Sequence, residues 1–329
     1  MHWNDINIAA LCAAHGLAVR ATSAVVGGHN SATLRLHTTS GDFLLKRYRD
    51  GTPSAAERME REFSAIEALQ RAGITPVPQP QFADARTAIA CYEFIEHRRF
   101  TSDDITPPDV DTAADFFQSL ATVTAPGPHQ RLAVDACPRL HDHHALIAQR
   151  IDALRTIPWA RDILCPAWEQ AQRTCADLAT AHQIALHSHL AADSLIFSAS
   201  DVGFHNIIRD TQHHRLVFVD FEYAGFDDPA KLLCDFLLQP GVPLPRPLHE
   251  RFVRRFLRQR ADAHQIWWRA RCLAPLLAIK WCTIVIKRLL AQGVAPDDAT
   301  PCDAITTLLH LAHHALPPLD AEFSLATSP

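Results

Sequence analysis

Three oxygen-bearing side chains stand close together in the sequence, and their types indicate phosphate chemistry. Asp201 precedes Asn206 in an Asp-x4-Asn pattern, and the run Leu216-Val-Phe-Val then leads to Asp220. An Asn and an Asp supply the oxygen ligands that Mg²⁺ takes when it also holds water and phosphate. A further carboxylate beside such a metal site has the chemistry of a general base. These residues therefore predict a divalent metal site with a base next to it.

A β-hairpin is predicted to bring Asn206 and Asp220 together. The run Asn206-Ile-Ile-Arg is typical of a strand, Asp210-Thr-Gln-His-His of a polar turn, and Leu216-Val-Phe-Val of the returning strand. In an antiparallel pair the start of one strand meets the end of the next, so the amide oxygen and the carboxylate should lie close together. Each residue alone would be read as a solvated turn residue. Their joint spacing and the order of the elements favour a functional site.

Lys46 and Glu62 form a second candidate pair. Lys46 ends the apolar strand Phe43-Leu-Leu, where an unpaired ammonium group would be unfavourable. The helix that follows carries an apolar stripe from Met59 to Leu69, and at about 100° per residue Glu62 falls inside this stripe. A carboxylate on the apolar face needs a buried partner, and Lys46 is the natural one. The alternative is a lysine that extends to solvent and a glutamate at the edge of the stripe.

The motif around Asp220 resembles a known family. Asp-x4-Asn, a hairpin and Asp-Phe-Glu are similar to the catalytic and metal loops of the protein-kinase-like fold. With Asp228-Pro229 downstream, the chain resembles more closely the aminoglycoside phosphotransferase family, which includes the choline-kinase-like small-molecule kinases. The resemblance implies that Asp201 is the base that deprotonates the acceptor hydroxyl. It also implies that Asn206 and Asp220 hold Mg²⁺ on the nucleotide phosphates.

One departure from the family pattern lies just before the proposed base. The family has His-Gly-Asp in this loop, whereas this chain has Ala199-Ser200-Asp201, so the histidine that supports the loop is missing. The Asp and the Asn are retained, which favours an active enzyme. The departure motivates a second hypothesis, a nucleotide-binding pseudokinase that acts as a regulatory or interaction module. A metal-storing or metal-sensing protein built on the 20 histidines is a weaker third alternative.

The resemblance also assigns nucleotide-binding roles in the N-terminal part. Lys46 is expected to point at the α- and β-phosphates, with Glu62 fixing its position. The turn Gly27-Gly28-His29-Asn30 suits a loop that donates backbone N–H groups to phosphate, with Gly27, Gly28 and Asn30 as binding residues. In isolation the same residues form only a turn. The expected nucleotide is ATP, with GTP as the alternative.

The segment Tyr92-Glu93-Phe94-Ile95 resembles the hinge that binds adenine through its backbone. Glu93 and Ile95 are the predicted contacts. An ordinary exit from a strand explains the same residues equally well.

The elements that position these residues follow from the hydrophobic pattern. Alternation predicts strands over residues 17–48, and Ser54 begins a helix that continues to about Ala72. From Asp109 onward the pattern is mainly helical, apart from the hairpin. This order predicts an α+β, two-lobed protein-kinase-like fold. Its small antiparallel-sheet N-lobe would cover residues 1–95, and its larger, mainly helical C-lobe residues 96–329.

Composition excludes several other classes of protein. A hydrophobic content of 48% excludes disorder along most of the chain. The net charge of −5 offers no basic surface to nucleic acid or to an anionic membrane. The nine cysteines contain no CxxC motif and favour a reducing cytoplasm. The most apolar stretch, residues 273–290, is interrupted by charged residues too soon for a membrane span.

The sequence therefore predicts a cytoplasmic, ATP- and Mg²⁺-dependent phosphotransferase. It would move the γ-phosphate to a hydroxyl group of a small molecule, namely a sugar, an amino sugar or an amino alcohol. Neither the identity of this acceptor nor the oligomeric state follows from the sequence.

Overall fold

The computed structural model describes residue 3 and residues 5–25, 30–124, 131–293, 303–314 and 316. In these ranges the strands are, in chain order, β1 (Val19–Val25), β2 (Ser31–Thr38), β3 (Asp42–Tyr48), β4 (Pro80–Asp84), β5 (Ile89–Glu93), β6 (His97–Arg99), β7 (Ile196–Ser198), β8 (Ile207–Asp210), β9 (Leu216–Phe218) and β10 (Gly225–Asp227). The α-helices are α1 (Ile8–Ala14), α2 (Ala55–Arg71), α3 (Pro107–Ser119), α4 (Asp142–Asp152), α5 (Pro158–Ala181), α6 (Pro229–Leu238), α7 (His249–Leu257), α8 (Ala263–Ala291) and α9 (Asp303–His314).

The chain divides into two compact units. The first comprises Met1–Arg99, Thr122–Val134 and Asn206–Gly225, and the second comprises Phe100–Ala121, Asp135–His205 and Phe226–Pro329, each within the described residues. The predicted mixture of an antiparallel sheet followed by helices is confirmed. The lobe boundary at residue 95 stays a prediction.

An antiparallel sheet with the strand order β1-β2-β3-β5-β4 forms the frame of the first unit. Strand β3 pairs with β2 on one side and with β5 on the other, so it is a central strand. Its side chains alternate between the two faces of the sheet. Leu45 packs with Leu36 and Ile89 in a hydrophobic cluster, whereas Lys46 projects to the opposite face. Lys46 is nevertheless buried, so the strand places its ammonium group where it needs a partner.

Helix α2 begins after Ser54, whose hydroxyl oxygen accepts a hydrogen bond from the backbone N–H of Glu57 at 3.3 Å. It ends at Arg71 with Ala72 as its C-cap residue, and the next residue, Gly73, adopts a φ of +77° that favours glycine. The buried face includes Met59 and Leu69, and Glu62 lies on this same face. The helix therefore presents a carboxylate on its packed side, as its sequence pattern predicts.

The predicted hairpin is formed by β8 and β9. Ile207 pairs with Phe218 in antiparallel register, and the backbone N–H of Val219 donates to the carbonyl of Asn206 at 3.0 Å. Strand β6 joins β8 on its other edge to complete a three-stranded sheet. The start of the hairpin and its end consequently meet, with Asp220 just beyond the last pair.

The second unit is mainly helical and has an aromatic core. The rings of Phe117 and Phe236 meet edge to face at 5.2 Å, and Phe236 stacks on Phe252 at 4.0 Å. Buried charges join its helices: Lys280 of α8 donates to Asp235 of α6 at 2.7 Å. No helix among the described residues is both long and apolar enough to cross a membrane.

Candidate active site

A cavity of about 170 Å³ lies in the first unit. Its wall combines apolar side chains of the sheet and of α2 with polar groups from the β8–β9 hairpin. The lining residues are Val25, Ser31, Thr33, Leu44, Lys46, Glu62, Ile66, Pro78, Tyr92, His97, Arg99, Asn206, Ile208, Val219 and Asp220. The predicted lysine pair and the predicted metal ligands therefore line one cavity, although they are far apart in the sequence.

Lys46 is held between two carboxylates. Its Nζ donates to Oε2 of Glu62 at 2.6 Å and to Oδ1 of Asp220 at 2.7 Å. The side chains of Lys46 and Glu62 are only 8% and 5% exposed. Glu62 also accepts a hydrogen bond from the hydroxyl of Tyr48 at 2.7 Å. The pair with Glu62 matches the sequence prediction, whereas the pattern gave no sign of the bond to Asp220.

Carboxylates close to Lys46 shift the pKa values of the charged groups in this cavity. Burial opposes the charge on Lys46, but the carboxylates of Asp220 and Glu62 outweigh it and raise the pKa of the lysine well above its usual value. Burial raises the pKa of Glu62 to about 7; Asp220 acts in the same direction and Lys46 opposes it. Several carboxylates thus surround the ammonium group of Lys46, while His97 and Arg99 also line the cavity.

Glu222 adds a third carboxylate to this group. One carboxylate oxygen from each of Glu62, Asp220 and Glu222 lies within 4.8 Å of the others. Oε2 of Glu222 is buried and has no hydrogen-bond partner among the described residues. Burial, reinforced by the charge of Asp220, raises the pKa of Glu222. A buried carboxylate oxygen that lacks a partner and adjoins other carboxylates fits a divalent cation.

The sequence interpretation gave Glu222 no role. The available signal was the Asp-x-Glu spacing of Asp220 and Glu222. Side chains two positions apart in an extended segment point to the same face, so this spacing was compatible with a shared site for Asp220 and Glu222. The backbone at Asp220 is unusual, because its φ of +68° lies in the left-handed region that non-glycine residues rarely adopt. Such strained backbone is concentrated at functional sites.

Asp201, the predicted base, lies in the second unit on the loop after β7. Oδ1 of Asp201 lies 3.0 Å from Nε2 of His205, and the aspartate side chain remains 34% exposed. Burial opposes ionisation of Asp201, but the hydrogen bond from His205 outweighs it and lowers the pKa of the carboxyl group. The preceding residue, Ser200, has a φ of +68°, and its N–H donates to the hydroxyl of Ser198 at 3.0 Å. The loop presents an ionised, accessible carboxylate.

Asn30 does not line the cavity. Its side-chain amide donates to Oε1 of Glu222 at 2.8 Å and to the hydroxyl of Tyr223 at 2.9 Å. Asn30 therefore links the start of β2 to the segment after Asp220. Gly27 and Gly28, the other predicted residues of this turn, lie outside the described residues.

The predicted hinge residues take part in local hydrogen bonds. The backbone N–H of Glu93 donates to the carbonyl of Gln79 at 2.8 Å, and the Glu93 carboxylate accepts from the Gln79 N–H at 3.2 Å. The carbonyl of Ile95 lies 2.8 Å from Nδ1 of His97. Tyr92 and His97 line the cavity, and Glu93 and Ile95 lie between them in the chain. Adenine binding by Glu93 and Ile95 stays a prediction.

Comparisons with known proteins identify a family and a fold for this chain. The model of the phosphotransferase enzyme family matches residues 22–237. A spectinomycin phosphotransferase, solved in complex with ADP and spectinomycin, is 11% identical, with 91% of this chain and 94% of that chain covered and a TM-score of 0.60. The choline kinase of Streptococcus pneumoniae is 17% identical, with 90% and 93% covered and a TM-score of 0.57. No curated protein matches this chain in sequence.

A third solved structure extends the likeness to another acceptor class. The ethanolamine kinase of Plasmodium vivax is 15% identical, with 89% of this chain and 82% of that chain covered and a TM-score of 0.56. At these identities the likeness concerns the fold. The kinase-like fold expected from the sequence is confirmed.

Proposed function

This chain belongs to the phosphotransferase enzyme family, as its motifs predicted, and on that basis we propose that it transfers the γ-phosphate of ATP to a hydroxyl group of a small molecule. One observation carries the proposal: Lys46 is fixed between Glu62 and Asp220 at a cavity that Asn206 also lines. In that arrangement, segments that are far apart in the sequence supply two things. One is a cation that can bind phosphate, and the other is a set of oxygen atoms that can bind a metal. The solved complexes of similar folds with ADP and AMP support a nucleotide as the cavity's ligand.

Each charged residue of the cavity has a role in this proposal. Lys46 binds the α- and β-phosphates, and Glu62 keeps the ammonium group in place. Asn206 and Asp220 would hold Mg²⁺, with Glu222 as a further oxygen ligand. Bound there, Mg²⁺ would neutralise the charge that develops on the phosphate oxygens.

Asp201 orients the acceptor hydroxyl and takes its proton. The hydroxyl O–H bond breaks, the oxygen forms a bond to the γ-phosphorus, and the bond between that phosphorus and ADP breaks. The proton passes to the carboxylate of Asp201 and from there to solvent, so that the carboxylate is regenerated. Its lowered pKa keeps the carboxylate ionised and ready to accept at neutral pH.

The acceptor class proposed is a sugar, an amino sugar or an amino alcohol, and the site of action is the cytoplasm. A pseudokinase is the second candidate, since Ala199 stands where the family has a histidine. The retention of Lys46, Asp201, Asn206 and Asp220 favours the enzyme.

A panel of sugars, amino sugars and amino alcohols tests the proposal, with ATP consumption as the readout and thermal shift with ATP, GTP and Mg²⁺ in parallel. Stabilisation by ATP with no consumption across the panel would favour the pseudokinase.

We predict that Asp220→Ala abolishes Mg²⁺-dependent ATP binding and that Asn206→Ala weakens it in the same direction. Both substitutions remove an oxygen ligand, and Asp220→Ala also removes one partner of Lys46. Calorimetric titration of ATP at several Mg²⁺ concentrations measures the effect. Gln212→Ala, at an exposed position in the turn of the same hairpin, is the matched control and should bind as the wild type does. An unchanged Mg²⁺ dependence in both site variants would place the metal elsewhere.

The substitution Glu222→Gln tests whether Glu222 is a metal ligand or only a structural carboxylate. The amide keeps an oxygen for Asn30 but removes the buried negative charge. We expect the Mg²⁺ concentration for half-maximal activity to rise by at least roughly tenfold. Thermal stability without Mg²⁺ should be unchanged or higher, because like charges are no longer crowded. Lower stability with an unchanged Mg²⁺ requirement would contradict the assignment.

A further inference from the structure

The loop of Asp201 contains a histidine after the aspartate, although none precedes it. Nε2 of His205 lies 3.0 Å from Oδ1 of Asp201, within the second unit. A carboxylate only accepts hydrogen bonds, so Nε2 carries a proton and donates it to this bond. Any catalytic role of His205 rests on the proposed function, in which Asp201 is the base.

The imidazole of His205 is closely packed on one side, and its side chain is 24% exposed. A Cβ added at Gly203 would come within 2.8 Å of Nδ1 of His205 and 2.5 Å of Cγ of Gln239. A Cβ at Gly241 would lie 3.2 Å from Cβ of His205. The Gln239 side chain is itself fixed, since its Oε1 accepts from the backbone N–H groups of Gly241 at 2.9 Å and Val242 at 3.2 Å. The ring is therefore confined on the side that faces Gly203 and Gln239.

The backbone next to the histidine is anchored as well. Phe204 is 1% exposed, and its ring contacts Phe100 at 5.0 Å and Phe236 at 5.7 Å. Nδ1 of His205 is buried and has no hydrogen-bond partner among the described residues. Within that part of the structure, the polar contact of this ring is therefore the one made by Nε2 to Asp201.

We propose that His205 is a positioning residue that fixes the rotamer of Asp201, and with it the direction from which the carboxylate accepts the hydroxyl proton. A rigid donor on one carboxylate oxygen stops rotation of the side chain about its Cα–Cβ bond. Ala199, two residues before Asp201, has no polar side chain with which to do this. The support for the base thus comes from the C-terminal side of the loop.

Two substitutions of His205 test the proposal in a kinetic assay. His205→Leu removes the donor, and the loss of alignment should lower kcat by up to roughly 10²-fold while KM for ATP is unchanged. His205→Gln places an amide N–H near the former Nε2 and should restore much of kcat. His213→Leu is the matched control, since His213 pairs with Asp210 at 2.9 Å but lies on the exposed hairpin turn. It should leave kcat unchanged.

A spectrum of the wild-type protein provides a readout that needs no acceptor. With ¹⁵N-labelled histidine, the Nε2 proton of His205 should be protected from exchange with water, and Asp201→Ala should remove that protection. The signal of His213 should not change. An Nε2 proton that exchanges equally fast in both proteins would overturn the proposal.

The kinetic outcomes distinguish this proposal from the proposed function. If Asp201→Asn abolishes transfer but His205→Leu keeps the wild-type kcat, the positioning role is wrong and the function stands. If His205→Gln regains thermal stability but not kcat, the histidine is structural and the proposal fails. If the wild type phosphorylates no acceptor, the proposed function fails, and the spectrum still decides whether His205 holds Asp201.

Discussion

Replacing Asp201 with asparagine is expected to lower the rate of phosphoryl transfer by roughly 10²–10⁴-fold, which is the usual contribution of a general base. The amide keeps the shape of the carboxyl group and an oxygen that accepts from His205, so the loop should stay folded. It no longer takes up a proton from the acceptor. ATP binding should be retained, because Asp201 is not among the residues that line the cavity of the first unit.

Single-turnover kinetics with the acceptor found in the panel would measure this loss, and calorimetry with ATP and Mg²⁺ would verify that binding is kept. Asp193→Asn is the matched control, because Asp193 lies at an exposed position in the turn that precedes β7. Transfer by Asp201→Asn at nearly the wild-type rate would show that another group takes the proton. Loss of ATP binding in Asp201→Asn would instead assign the aspartate to the nucleotide site.

The parts of this site that the sequence predicts are those set by local periodicity. Two apolar runs separated by a polar turn determine the hairpin, and the hairpin alone brings Asn206 and Asp220 to the same end. The period of about 3.6 residues per turn places Glu62 on the apolar face of α2. Burial of a lone charge is costly, so the position of Lys46 on a central strand already requires a partner.

The contacts that the sequence does not predict join polar side chains from distant segments. Lys46 bonds to Asp220 across 174 positions of sequence, and Asn30 bonds to Glu222 across 192. No periodicity relates such residues, because their meeting depends on how separate segments pack. Asn30 is an example: its amide donates to Glu222 and Tyr223, which the sequence did not predict, and its contact with a nucleotide stays a prediction.

Substitution of Lys46 by methionine should have the largest effect on stability. Removing one member of a buried ion pair costs about 3–5 kcal/mol, because the other charge is left uncompensated. Glu62, Asp220 and Glu222 would then adjoin one another without the ammonium group. The loss should be limited by proton uptake at Glu62, whose pKa is already raised to about 7. ATP binding and catalysis should also fall, since the cation for the phosphates is gone.

Glu62→Gln should be less destabilising than Lys46→Met, because Lys46 keeps its bond to Asp220. Denaturant unfolding measures the free energy of unfolding of both variants. Lys287→Met, at the exposed end of α8, and Glu67→Gln, on α2 with its side chain 45% exposed, are the matched controls and should change stability little.

The double variant Lys46→Met with Glu62→Gln decides whether the two side chains act as a pair. Once the lysine is absent, the change at Glu62 removes a buried charge that already lacks its partner, and so it should restore part of the lost stability. The losses in unfolding free energy of the two single variants should therefore add up to more than the loss in the double variant. The same relation should hold for ATP affinity measured across the four proteins. Strictly additive losses would mean that Glu62 does not position Lys46, and that Asp220 alone holds the ammonium group at the cavity.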